Sequence, residues 1–300
     1  MNSKPLPGLE PITLATMVGC YGGLALATAV LPQVSVLLAF LATTFTIALH
    51  SSLQHEALHG HPTRNRVLNE LLVFPAVGLL IPYGRFRDLH LAHHHDDILT
   101  DPYDDPESNF QDPRVWAKAP GWKKALFRVN NTLLGRIFLG PGISTLALWR
   151  EDRRLIAQGD RAVLRAWVLH GFGVLPVIWW FSTYATLPVW TYIIAAYLGF
   201  GLLKIRTYLE HRAYGTAAGR TVIIEDRGPL AFLFLNNNYH VVHHTHPGEP
   251  WYRMQKLYYA NPEKYQALND GYLYRNYAEI FRKYLFRSKD PVPHPLMENP

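Results

Sequence analysis

The sequence predicts an all-α integral membrane protein. Its parts are two transmembrane helical hairpins (four spans), a short re-entrant or interfacial element between them, and a cytoplasmic cap built from histidine boxes. Three observations predict this. From Pro11 to His55 there are 45 consecutive residues without an Asp, Glu, Lys or Arg, and from Ala166 to Leu203 there are 38 more. Charged residues are only 17% of the 300-residue chain, against about 25% in ordinary soluble domains. Fifteen histidines are present, most of them in short clusters near the ends of the apolar blocks. A mean hydropathy of −0.04 hides this segregation. It excludes a disordered chain, a disulfide-rich secreted domain and an ordinary soluble fold. The single cysteine, Cys20, lies inside the first apolar block, so no disulfide framework, iron–sulfur cluster or cysteine zinc site is expected.

A spanning helix needs about 20 apolar residues. The first block divides at Pro32 into spans of about 11–31 and 33–54, joined by a very short outer turn at Leu31-Pro32-Gln33. The absence of a basic region beyond Lys4, and the apolar helix that follows, argue against a cleavable signal peptide. Leu71 to Ile81 is apolar but broken by Pro75 and Gly78, too short to cross and expected to re-enter and return. Gly121 to Arg161 mixes apolar residues with seven arginines and lysines before its end, from Lys123 to Arg154, and reads as an amphipathic segment on the cytoplasmic face. The second block divides near Leu187-Pro188 into spans of about 165–184 and 188–208. Residues 212–300 read as a polar, aromatic-rich tail whose Pro291, Pro293 and Pro295 mark a frayed end. All 29 lysines and arginines lie outside residues 5–63 and 166–203, which puts both termini and the segments 55–164 and 209–300 in the cytoplasm. Residues 1–300 thus read as a single membrane-embedded domain. The net charge of +6 and pI near 9.3 suit anionic headgroups, and no interleaved aromatic and basic repeat points to nucleic acid.

Three clusters carry the chemistry: His55-Glu56-Ala57-Leu58-His59, His90-Leu91-Ala92-His93-His94 and His240-Val241-Val242-His243-His244. On a helix, positions i, i+3 and i+4 share a face, so each cluster can turn two or three imidazoles toward one centre. From Gln33 to His55 is about 33 Å of helix, and from Pro188 to His211 about 35 Å, both slightly more than the hydrocarbon core. Both inner helices would therefore end on histidine at one level, which adds His211 as a ninth candidate. Imidazole suits zinc, copper, iron and nickel. One zinc needs three or four ligands, about half of this set; two metals fit better, and iron is the redox-active choice.

His55-Glu56-x-x-His59 matches the zinc metalloprotease signature, with Glu56 as base, but that leaves six histidines without a role. A histidine-rich transporter should carry its ligands inside the spans rather than at one end. His50 and His170 read as hydrogen-bonded structural groups. His61, His95 and His246 read as solvent-facing or as partners of ligand imidazoles, and His294 as tail. Asp101 and Asp104 are candidate acceptors from ligand imidazoles, Asn236-Asn237-Asn238 a cap for the third cluster's helix, and Trp179, Trp180 and Trp190 an aromatic belt.

With its boxes HEALH, HLAHH and HVVHH, two hairpins and a lone His211 after the fourth span, the chain resembles the membrane fatty acid desaturase superfamily over roughly Thr43 to Arg253. The resemblance implies a site of two non-haem irons ligated by His55, His59, His90, His93, His94, His211, His240, His243 and His244. It implies dioxygen as co-substrate and desaturation of a fatty acid or lipid-linked acyl chain. Hydroxylases and ketolases of carotenoids or alkanes in the same superfamily share the boxes. No fused haem domain accompanies the boxes, so a separate electron donor of the ferredoxin or cytochrome b5 type is expected. An apolar channel is expected along the inner helices, around residues 40–54 and 196–208.

Overall fold

The computed structural model describes residues 8–95 and 99–297. Among them four helices are long and apolar enough to cross a membrane. Two form the first hairpin, α1 (Pro11–Ala29) and α2 (Val36–Leu58). Pro32 turns the chain within a single tight helical turn, Leu31–Gln33, and the Ser35 side chain caps α2 by accepting from the Leu38 N–H at 3.3 Å. After α3 (Arg66–Leu72), α4 (Tyr83–His95) carries the second histidine cluster. After α5 (Pro113–Lys118), the region from Gly121 to Arg161, read as one amphipathic stretch, is instead broken into α6 (Gly121–Asn130), α7 (Leu133–Phe138) and α8 (Gly140–Ala157). Its punctuation is local. Pro120 precedes α6, and the Thr132 hydroxyl caps α7 through the Gly135 N–H at 3.0 Å. Gly135 is required at that corner, because a Cβ there would overlap the Val129 carbonyl.

The second hairpin is α9 (Arg161–Thr183) and α10 (Val189–Thr207). α9 starts four residues earlier than its apolar run, since Asp160 caps it by accepting from Ala162 and Val163 N–H. The remaining helices are α11 (Pro229–Leu233), α12 (His240–Thr245), α13 (Trp251–Ala260), α14 (Pro262–Leu268) and α15 (Tyr277–Tyr284). Strands β1 (Ile223–Ile224) and β2 (Leu273–Tyr274) pair in parallel, Ile223 opposite Leu273. All-α membrane architecture is thus the observed class. The chain divides into two compact units: Met1–Arg87, Leu148–Phe200 and Pro250–Tyr252 form one, and Asp88–Ala147, Gly201–Glu249 and Arg253–Pro300 the other.

In the first unit the outer ends of the hairpins are tied through one residue. The Thr28 carbonyl accepts from the Thr186 and Leu187 N–H groups at 2.9 Å, and its hydroxyl accepts from the Trp180 indole at 2.9 Å. Trp180 therefore does more than sit in a belt, while Trp179 and Trp190 stay exposed. The core here is Ala39, Ile47, Val77, Leu187, Tyr192, Ala195 and Ala196. At Gly199 a Cβ would come 2.9 Å from the Ile47 side chain, so α2 and α10 leave no room for an acyl chain between them at that level.

Between Leu72 and Tyr83 the chain has no regular structure, and unpaired carbonyls in an apolar setting cost several kcal/mol each. Side chains from five surrounding helices supply the missing donors. Tyr21 donates to the Leu72 carbonyl (2.8 Å), Gln54 to Val73 (3.4 Å), Tyr192 to Val77 (2.7 Å), His170 to Leu79 (2.9 Å) and Trp149 to Leu80 (3.0 Å). Gly173 lets its helix approach, because a Cβ there would lie 2.7 Å from the Phe74 carbonyl. Tyr21 also bonds His50 at 3.0 Å, so both in-span histidines are structural, as expected.

In the second unit the C-terminal prolines do not fray. Prolines at every second position hold the chain extended and leave the intervening amides free to pair. The Gln111 N–H donates to the Val292 carbonyl and the His294 N–H to the Gln111 carbonyl, both at 2.9 Å. His294 is buried against Phe110 and bonded to the Thr100 hydroxyl at 3.1 Å. Residues 1–7 and 298–300, expected on the cytoplasmic side, lie outside the described residues.

Removing one donor from the irregular segment tests this account. Tyr192→Phe strands the buried Val77 carbonyl and should destabilise the detergent-solubilised protein by about 1–3 kcal/mol, read as a lower thermal unfolding midpoint. Trp190→Phe, at an exposed site, should leave the midpoint unchanged.

Candidate metal centre

Seven of the nine histidines lie in the second unit, on three elements chosen by their spacing. α4 presents His90, His93 and His94 from adjacent turns, and α12 presents His240, His243 and His244 in the same pattern. His211 follows α10 in an extended stretch that bridges to Thr221. The ligand atoms of His93, His211, His240 and His244 all lie within 4.8 Å of one another. The Nε2 atoms of His93 and His211 are 2.9 Å apart, those of His211 and His240 3.1 Å, and those of His240 and His244 3.1 Å. A second set forms beside it: Nε2 of His94 is 3.0 Å from that of His90 and 3.0 Å from that of His243. The rings of His94 and His244 stack at 4.3 Å and join the two sets. In the first unit, His55 and His59 end α2 with ring centroids 4.8 Å apart.

The outer nitrogens are held too, though not by the residues the sequence suggested. His93 Nδ1 lies 2.8 Å from Asp105, and His90 Nδ1 lies 2.8 Å from Glu107. Asp101 instead closes its own turn by accepting from Tyr103 and Asp104 N–H. The Asp105 carboxylate is fixed in turn by the Thr100 and Glu107 N–H groups, at 2.7 and 2.9 Å. Asn237 does not cap α12, whose first turn has no side-chain cap; its oxygen faces His240 Nδ1 at 3.2 Å, and its amide donates to Glu210 at 2.9 Å. Glu210 pairs with Arg206 at 2.9 Å. Lys289 donates to the His211 carbonyl at 2.6 Å. A carboxylate or amide oxygen beside an imidazole Nδ1 was the signal for Asp105, Glu107 and Asn237, but sequence distance alone did not single them out.

The other histidines separate cleanly. His61 is buried with its Nδ1 2.5 Å from Glu10, rather than solvent-facing or beside a ligand imidazole. The pair holds the entry to α1 against the loop after α2, where the Glu10 N–H also donates to the Pro62 carbonyl. His246 is half-buried with its Nε2 3.2 Å from the Tyr265 hydroxyl. The His95 side chain lies outside the described residues. Glu56 is buried and accepts from the Trp251 N–H at 3.1 Å.

The family model for fatty acid desaturases matches residues 31–276, which include all nine histidines. The chain belongs to the fatty acid desaturase family. No curated protein matches it. Membership makes this desaturase-type chain a membrane oxidoreductase of lipid or acyl substrates, in a family that uses bound metal, and the residues present fit such a metal. Carboxylates only accept hydrogen bonds, so Asp105 and Glu107 keep the proton on Nδ1 and leave the Nε2 lone pairs facing inward. With metal–nitrogen bonds of about 2.1 Å, neighbouring ligands at right angles sit about 3.0 Å apart, close to the spacings in both sets.

At three of the rings the electrostatics of this desaturase site agree with that fit. Burial holds His211, His240 and His244 well below the usual imidazole range, and neighbouring imidazoles push the same way. They are therefore neutral, as ligands must be. Burial also opposes charge on His93, but Glu107 and Asp105 outweigh it and raise the imidazole to about 9, so a metal bound there would displace a proton. Burial opposes charge on Glu107 as well, yet His90 and His93 hold it far below the carboxylate range.

Asp105→Asn should weaken metal binding by roughly 10–100-fold, measured as metal retained through chelator titration of the purified protein. Asp104→Asn, on the exposed side of the same turn, should retain metal as the parent does.

Proposed function

We propose that the chain is a dioxygen-dependent acyl-chain desaturase holding two non-haem irons. The nine histidines would ligate them, with His93, His211, His240 and His244 around one iron and His90, His94 and His243 around the other. The observation that carries this reading is the convergence of inner imidazole nitrogens at about 3 Å in two adjoining sets, each with a carboxylate at an outer nitrogen. Iron is favoured over zinc because one zinc needs at most four ligands, and nine imidazoles with open positions suit a redox metal. Iron held there would supply the dioxygen chemistry needed for loss of hydrogen from two neighbouring methylenes.

The chain's own residues do the positioning. Asp105 and Glu107 fix the tautomers of His93 and His90, and Arg206, Glu210 and Asn237 form a relay of contacts that orients His240. Burial of His90, His93, His240 and His243 keeps bulk water from the nitrogens. Glu56 accepts from the Trp251 N–H with one carboxylate oxygen, and its other oxygen lies 3.8 Å from His55 Nδ1. Desaturation rather than hydroxylation is a matter of how the chain lies against the site. Electrons would come from a separate donor of the ferredoxin or cytochrome b5 type. The clustering of lysines and arginines away from the outer turns supports a cytoplasmic site.

Expression with a donor in a lipid-producing host should yield acyl chains lighter by two hydrogens in mass spectra, and the purified protein should hold two irons. Products heavier by one oxygen would reassign the chain to the hydroxylase or ketolase branch. One zinc per chain, with peptide cleavage abolished by Glu56→Gln, would overturn the proposal. His211→Ala should lose most of the activity, roughly tenfold or more, and part of the iron. His246→Ala should lose little of either.

A further inference from the structure

We propose that residues 113–147 form a platform that seats on anionic lipid headgroups, with Trp122 entering the apolar boundary of the bilayer. The stretch from Pro113 to Arg150 contains no Asp or Glu and seven Lys or Arg. Its helices are too short or too charged to cross, yet they expose large apolar side chains: Val115 at 47%, Trp122 at 71%, Val129 at 52% and Leu146 at 66%. On α6, Trp122, Ala125 and Val129 fall on one exposed stripe, with Arg128 beside it and Leu126 and Phe127 turned toward the protein. Such a stripe flanked by cations is the pattern of a helix lying in an interface, about 5–10 Å into the headgroup and acyl boundary.

The platform's own unit ties it to the end of a membrane span. A Cβ at Gly201 would lie 2.5 Å from the Ile137 carbonyl, Lys204 donates to the Ser144 hydroxyl at 2.9 Å, and Tyr208 donates to the Asn131 carbonyl at 3.0 Å. α7 and the start of α8 thus pack against the last turns of α10, where the fourth span reaches its first basic residues, Lys204 and Arg206. Headgroups lie at that depth. The charge favours anionic ones, since each lysine or arginine near such a surface adds attraction. An acidic protein partner would answer the charge alone; it would leave a tryptophan, a leucine and two valines without an apolar environment.

The test uses full-length protein in two kinds of nanodisc, phosphatidylcholine alone and phosphatidylcholine with a third phosphatidylglycerol, each containing brominated acyl chains. Trp122→Cys is labelled with an environment-sensitive dye; the one native cysteine, Cys20, is buried in α1. Glu263→Cys, on an exposed position of α14, is the aqueous control. In the anionic discs the dye at 122 should shift to the blue and lose emission to the bromines, because that position lies among the acyl chains, while the dye at 263 keeps its own. Lys118→Gln, Lys123→Gln and Arg128→Gln together should remove most of that loss without lowering the thermal unfolding midpoint. A dye at 122 as aqueous as the one at 263 overturns the proposal. Equal quenching in both discs overturns the preference for anionic lipid. Protection of position 122 that appears only on adding an acidic electron-donor protein overturns it in favour of a docking face.

Discussion

Ring nitrogens brought Nε2 to Nε2 at about 3 Å, several times over and out of reach of water, are the constraint on which the rest depends. A neutral imidazole has one N–H and one bare nitrogen. Two bare nitrogens at that distance repel and two N–H groups collide, so without a cation only alternating tautomers, an N–H against a bare nitrogen, satisfy the contacts. A shared cation instead takes a lone pair from every ring at once. The protein must therefore hold the rings at that spacing, and most of the second unit is organised to do so. Short helices fix the spacing within each cluster. Carboxylates behind the rings decide which nitrogen faces inward. Burial keeps His211, His240 and His244 uncharged.

Support of His211 differs in kind from that of the other rings. It sits on extended chain, not a helix, and its position is set by its backbone. The Arg212 N–H donates to the Arg220 carbonyl at 2.9 Å, the Val222 N–H to the Glu210 carbonyl at 3.1 Å, and Lys289 reaches the His211 carbonyl from the C-terminal stretch. The two-residue strands extend this pairing, with the Ile223 N–H on the Tyr272 carbonyl at 3.0 Å. Parts of the chain 78 residues apart are thus needed to hold one imidazole. Asn269 and Tyr272, in a region polar by composition, are buried there, donating to the Thr221 and Leu209 carbonyls at 3.0 and 2.8 Å.

What could be read from the sequence was whatever has a short period or a long run. The uncharged blocks located all four spans to within a few residues, because a bilayer imposes one length on any helix that crosses it. Pro32 and Pro188 located the turns. The i, i+3, i+4 spacing placed imidazoles on common faces, and equal helix lengths brought His211 into the set. What could not be read was which distant groups meet. Asp101, Asp104 and Asp105 are equivalent by composition, and only the path of the loop gives the His93 contact to Asp105. His61 and Glu10 are 51 residues apart. The asparagines before α12 looked like a cap because capping is local, whereas Asn237 serves a side chain three residues on and a carboxylate 27 residues back.

The irregular segment after α3 also has a consequence for the order in which the protein is assembled. Its Leu72 and Val73 carbonyls are answered by Tyr21 and Gln54, which precede it, but its Val77, Leu79 and Leu80 carbonyls are answered by Tyr192, His170 and Trp149, synthesised 69 to 115 residues later. Until those residues emerge, water is the best available partner for the three carbonyls, and a lipid-facing position is closed to them. Within the protein those three carbonyls gain their donors only once α8 and the second hairpin have been made, so the last half of the membrane unit to be made completes the first.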